Sequence, residues 1–103
     1  MMKPIKNNLT EILNIDYPII QAPMGWIARS QLASAVSEAG GLGIIETSSG
    51  ELDVIREEIK LMREKTKKPF GVNIAQAFVR DPDIVNFIID QGVKFVTTSA
   101  GDP

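Results

Sequence analysis

The feature that most constrains this chain is a regular alternation. Short apolar runs are each followed by a longer segment whose apolar residues recur at helical spacing. The first run, Pro18 to Pro23 (PIIQAP), is closed by proline and reads as a strand. A helix is expected from Gln31 to Ala39, capped by Ser30, with Leu32, Ala35, Val36 and Ala39 on one face. Gly40-Gly41 ends it, since glycine readily takes the left-handed conformation that terminates helices. Leu42 to Glu46 (LGIIE) is the second strand, and the polar turn Thr47 to Gly50 leads into a second helix, from Glu51 to about Thr66. Its Leu52, Ile55, Ile59 and Met62 form an amphipathic stripe. Phe70 to Ile74 (FGVNI) is the third strand. Asp81-Pro82 opens a further helix with an expected buried stripe of Ile84, Val85, Ile88 and Ile89, and Gly92 closes it. Val93 to Thr98 is the fourth strand, while ahead of the first lies a short helix capped by Asn8, with Leu9, Ile12 and Leu13 apolar.

Strand starts near residues 18, 42, 70 and 93 give the order β-α-β-α-β-α-β. That order implies parallel strands joined by right-handed crossovers, with the helices covering the sheet faces. Two architectures satisfy the pattern: a doubly wound open sheet, or half of a (β/α)8 barrel. A complete barrel takes roughly 250 residues, so about four βα units in 103 residues amount to its N-terminal half. Residues 1–103 are therefore expected to be the first part of one TIM-barrel domain, with the C-terminal half absent.

Composition removes several functional classes. Hydrophobic residues make up 44% and charged residues 23%, which is the usage of a folded globular chain rather than a disordered one. The 11 basic and 13 acidic residues are intermixed, so there is no basic stripe to take up nucleic acid. The densest basic group, Lys65, Lys67 and Lys68, lies at a helix end, where cations complement the helix dipole. With no histidine, no cysteine and no carboxylates at ligand spacing, neither a metal site, a disulfide nor a thiol nucleophile is expected here. Met1-Met2-Lys3-Pro4 has no apolar region after it and no run approaches membrane-spanning length, so the expectation is a cytoplasmic protein without a membrane partner.

In either architecture ligands sit beyond the carboxyl ends of the parallel strands. There the sequence places Gln21-Ala22-Pro23-Met24-Gly25-Trp26, Glu46-Thr47-Ser48, Asn73-Ile74-Ala75-Gln76 and Thr97 to Gly101. The small residues and proline of Ala22 to Gly25 could lie flat against a planar ligand, or Met24 could simply fill the barrel mouth. Asn73 interrupts an apolar strand with a carboxamide that must find partners in protein, water or ligand. Thr97, Thr98 and Ser99 read as ordinary strand residues, and Glu46 as a solvated or paired carboxylate. Gly40-Gly41-Leu42-Gly43 lies between a helix and a strand, the reverse of what a phosphate loop needs.

Four blocks also resemble a known family. Tyr17-Pro18-Ile19-Ile20-Gln21-Ala22-Pro23-Met24, Leu32 to Gly43, Lys68-Pro69-Phe70-Gly71-Val72-Asn73, and Val96-Thr97-Thr98-Ser99-Ala100-Gly101-Asp102-Pro103 are similar, in order and spacing, to the nitronate monooxygenases, formerly called 2-nitropropane dioxygenases. The same blocks occur in the related enoyl-acyl-carrier-protein reductases that use flavin mononucleotide (FMN). The resemblance implies a TIM-barrel oxidoreductase with FMN above the strand ends. It implies Ala22, Pro23 and Met24, with Gly25, as one wall of the FMN site, and Asn73 as a polar flavin contact. The implied reaction is oxidation of an alkyl nitronate with molecular oxygen. The alternatives are reduction of an enoyl thioester with NAD(P)H, or a non-catalytic half-barrel that self-associates or pairs with a second chain carrying the missing half. The family's catalytic histidine is expected beyond the end of this chain, so these residues alone are expected to be inactive. Gly25-Trp26, where many monooxygenases carry Ala-Gly and the reductases often carry Ala-Trp, and Glu46-Thr47-Ser48, where a glycine-rich turn is common, mark departures on the substrate side.

Overall fold

The computed structural model describes residues 3–102; Met1, Met2 and Pro103, the last of these in the fourth resemblance block, lie outside the described residues. Three strands form a parallel sheet in chain order: β1 (Gly43–Ile45), β2 (Phe70–Ala75) and β3 (Phe95–Ser99). Register is set by Gly43 opposite Phe70 and by Asn73 opposite Thr97. Helix α1 (Asn8–Leu13) precedes the sheet, α2 (Ser30–Glu38) leads into β1, α3 (Leu52–Lys65) links β1 to β2, and α4 (Ile84–Asp90) links β2 to β3. A 3-10 turn, Gln76–Phe78, follows β2.

The expected first strand is reduced to a single parallel bridge, Ile20 with Leu42. Its backbone pairs only where Leu42 N donates to Ile19 O and Gln21 N donates to Leu42 O. Beyond that point the Gln21 side chain takes over the ladder. Its Nε2 donates to Ile44 O at 3.0 Å, and its Oε1 accepts from Ile44 N at 3.1 Å. The carboxamide thus presents the donor and acceptor that another strand residue would have presented, and Pro23 has no N–H with which to continue. Gln21→Ala is expected to cost about 1–3 kcal/mol, the worth of two net hydrogen bonds. Urea unfolding monitored by circular dichroism measures it.

Strand positions that follow one another in space as they do in sequence, with no reversal of order, favour the barrel over the doubly wound sheet, whose order reverses at a switch point. The main core lies between the sheet and its helices: Ile45, Val72 and Ile74 against Ile55, Ile59 and Met62 of α3, with Ile84 and Ile88 of α4. The α3 stripe buries as its spacing predicts. The α4 stripe does so only in part, because Val85 and Ile89 are 51% and 60% exposed. They sit about 100° further round the helix, outside the contact that Ile84 and Ile88 make with the core. A second cluster, Leu13 with Leu42 and Ile44, packs α1 across the other face.

Two caps differ from expectation. Asn7, rather than Asn8, caps α1, in a reciprocal capping box with Thr10. At α2 the N-cap is Arg29, with no side-chain hydrogen bond of its own. The free Ser30 N–H donates instead to Glu58 of α3, and the Ser30 hydroxyl accepts from Lys65 Nζ. The helix start is therefore capped across the fold rather than by its own sequence. Gly40 and Gly92 end α2 and α4 at φ values of 104° and 76°, as expected of glycine there.

Candidate functional site

The carboxyl ends of the strands converge on a cleft of about 160 Å³ lined by Pro23, Gly25, Glu46, Thr47, Asn73 and Ser99, among others. Three connections supply it: the loop before α2, the turn after β1, and the end of β2 beside β3. Thr47 joins two of them, donating from its hydroxyl to Asn73 O at 2.7 Å while accepting from Ala75 N.

Asn73 is the polar centre of this surface and only 3% exposed. Its Oδ1 accepts from Thr97 Oγ1 at 2.8 Å, and its Nδ2 donates to Ser99 Oγ at 2.9 Å. Parallel register puts Thr97 directly opposite Asn73, so β3 holds the carboxamide in one orientation. A carboxamide has two N–H donors and two acceptor lone pairs, so one of each is left for a further partner. Thr97 and Ser99 are thus not merely β-favouring residues, since they fix the amide. Only the strand pairing reveals that role, for they lie 24 and 26 residues from Asn73 in sequence.

Pro23 and Gly25 line the cleft wall, while Ala22 and Met24 beside them are exposed. Gly25 passes close to the turn after β1: a Cβ there would sit 3.3 Å from Ser48 Oγ. Trp26, which follows it, adopts φ 65° and is 71% exposed, its ring lying 4.8 Å from the Arg29 guanidinium carbon. Arg29 also donates from Nε to Glu46 Oε1 at 2.9 Å, and its Nη2 is buried without a hydrogen-bond partner.

Glu46 is paired, as the ordinary reading of a strand-end carboxylate expects. Its second oxygen accepts from both the N–H and the hydroxyl of Ser48. Burial by itself would raise its pKa. The hydrogen bonds from Ser48 and Arg29, with the charge of Arg29, outweigh that and hold the carboxyl below its ordinary value of 4.5. A depressed folded-state pKa stabilises the fold above the unfolded value and loses that contribution as pH falls through the folded one. Wild type is therefore expected to melt above Glu46→Gln at neutral pH, with the gap closing in acid below about pH 4. A gap independent of pH would contradict the pairing. An ionised, doubly engaged carboxylate is also a poor general base. Among the described residues no group of histidine, cysteine or carboxylate side chains could hold a metal ion, and no helix is long and apolar enough to cross a membrane.

Residues 6–103 match the sequence model of the nitronate monooxygenase family. The chain belongs to that family. Among family relatives, a carboxyl-CoA dehydrogenase of Mycobacterium tuberculosis with an octahydroindene substrate name is 39% identical over 87% of this chain and 25% of its own length. A probable nitronate monooxygenase of Staphylococcus aureus is 42% identical over 67% of this chain and 19% of its own. FabK of Thermotoga maritima superposes with a TM-score of 0.87 at 42% identity, covering 96% of this chain and 32% of that one. The nitroalkane oxidase of Streptomyces ansochromogenes gives 0.55 at 46% identity over 64% of this chain and 19% of the other. The chain thus spans about a quarter of the first of these curated relatives and about a third of the FabK chain. Its fold is that of the opening βα units of a TIM barrel, as the sequence pattern implies.

Proposed function

We propose that this chain forms one wall of the flavin site in an FMN-dependent oxidoreductase that oxidises alkyl nitronates with molecular oxygen. The observation that carries the reading is Asn73, a buried carboxamide at a strand end, oriented by Thr97 and Ser99 and left with one donor and one acceptor. Ala22, Pro23, Met24 and Gly25 would border the planar ring, and Gly25 fits such an approach because its bare Cα keeps the wall clear of Ser48. Met24 supplies a polarizable thioether suited to an aromatic face. FMN, when bound, supplies the redox chemistry, and the protein supplies orientation and electrostatics. Within these residues that means Asn73 fixing the ring by its two free hydrogen-bonding groups. Glu46, locked to Arg29 and Ser48, would shape the turn beside it rather than move a proton.

A second reading, reduction of an enoyl thioester with a nicotinamide donor, is favoured by Gly25-Trp26, which is closer to the reductase pattern than to the monooxygenase one. A third concerns partners. Ile19, Ile20, Ile27 and Val96 are exposed, and apolar surface of that kind favours association with a second copy or a complementary chain. One assay separates the two chemistries. The chain, loaded with FMN and complemented with the remaining units of the barrel, is offered propyl nitronate under oxygen-electrode recording, and separately NADPH with an enoyl thioester while the nicotinamide absorbance is followed. Nitronate-dependent oxygen uptake supports the first reading, whereas thioester-dependent NADPH oxidation alone replaces it with the second.

A further inference from the structure

At the opposite end of the strands lies a cavity of about 460 Å³, walled by the end of α1, the end of α3 and the segments entering β2 and β3. Its size falls in the range of small-molecule sites, roughly 300–1,000 Å³. Arg63, Lys67, Lys68 and Lys94 all line it, and no carboxylate does. In a chain with 13 acidic and 11 basic residues, four cations around one acid-free cavity is a marked segregation. None of the four has an ion-pair partner among the described residues.

The helix dipole accounts for cations near the end of α3 but not for Lys94, which lies in the segment just ahead of β3. Nor does it account for how Arg63 is held. Its guanidinium carbon lies 5.7 Å from the centroid of the Phe70 ring, and its Nη2 lies 3.3 Å from where a Cβ on Gly92 would stand. An aromatic face and a bare glycine position the charge without neutralising it. Clustered like charges repel, so an anion placed among them is stabilised. Phe70 and Phe95 add an aromatic floor to the cationic rim.

We propose that this cavity binds an organic anion, a phosphate or carboxylate head carrying a flat apolar body, with Arg63, Lys68 and Lys94 on the head and Phe70 and Phe95 against the body. The site shares no residue with the flavin cleft, so it stands or falls independently of the proposed chemistry. The test is calorimetric titration of the whole chain with 1-naphthyl phosphate at low salt. Saturable binding is expected, weakened at least about tenfold by the double substitution Lys68→Gln/Lys94→Gln and unchanged by Arg80→Gln or Asn73→Ala. Inorganic phosphate should bind more weakly and neutral 1-naphthol not at all. Absence of binding, indifference to the double substitution, inorganic phosphate binding as tightly, or 1-naphthol binding as tightly would each overturn the proposal. In the unsubstituted chain the ligand should also slow acetylation of Lys68 and Lys94 but not of Lys3, and equal rates with and without ligand would contradict it.

Discussion

Gly43→Ala is expected to destabilise the chain by about 3 kcal/mol or more, the upper end of what overpacking costs. A Cβ at this position would stand 2.0 Å from Ala33 O and 2.6 Å from Ala33 C. Both are backbone atoms of α2, so no rotamer change relieves the clash and the helix itself has to move. That helix is anchored to the same spot one turn further along the same face. Ser37 of α2 accepts from Gly43 N and donates to Pro69 O just before β2, tying helix, β1 and β2 together. A domain with stability of about 5–15 kcal/mol overall has little margin for such a loss. Gly25→Ala is the matched control, because there the added Cβ meets only the Ser48 side chain, at 3.3 Å. It should cost less than about 1 kcal/mol. Parallel urea melts decide the matter, and equal midpoints for the two variants would show that α2 does not depend on close approach at Gly43.

The second large effect is expected at the cleft. Asn73→Ala should weaken FMN binding at least about tenfold, the equivalent of one good hydrogen bond to a buried group. Its own cost in stability should stay near 1–3 kcal/mol, since the Thr97 hydroxyl it abandons is exposed and Ser99 is half-buried, so both can turn to water. Thr97→Val should act through Asn73, leaving the amide in place but held by Ser99 alone, with a smaller loss of affinity and an unchanged melting midpoint. Flavin fluorescence quenching reads both affinities. If Thr97→Val proved as damaging as Asn73→Ala, the threonine would itself be a contact rather than a positioning residue.

Local pattern carried most of this architecture. The spacing of Leu52, Ile55, Ile59 and Met62 determined both the extent and the buried face of α3, because one amphipathic stripe meets one sheet. Phe70 to Ile74 read correctly as a strand because a parallel strand buried on both faces is nearly continuous in its apolar residues. What failed to appear in the sequence depends on pairs far apart along it. Glu58 caps α2 from 28 residues away, so the adjacent Ser30 looked like the cap. Gln21 looked like one polar residue in an apolar run, although it replaces a stretch of strand through Ile44. Val85 and Ile89 have the same residue types as Ile84 and Ile88, and only packing separates the exposed pair from the buried one.

The site was legible to the same degree. Asn73 stood out because a carboxamide inside an apolar strand must be paired, but its partners became identifiable only once β2 and β3 were in register. The cationic cavity could not be read at all, because Arg63, Lys67 and Lys68 belong to one segment and Lys94 to another.

The most direct test of the central claim is a titration of the isotopically labelled chain with FMN, followed residue by residue through its backbone amide resonances. The account predicts saturable shifts at Ala22, Met24, Gly25 and Asn73, with Thr97 and Ser99 following, and the loss of these in Asn73→Ala, whether or not the FMN phosphate also shifts Arg63, Lys68 and Lys94 in the far cavity. No shifts, or shifts confined to Arg63, Lys68 and Lys94 at the far end of the strands, would contradict a flavin wall at the carboxyl ends of these strands.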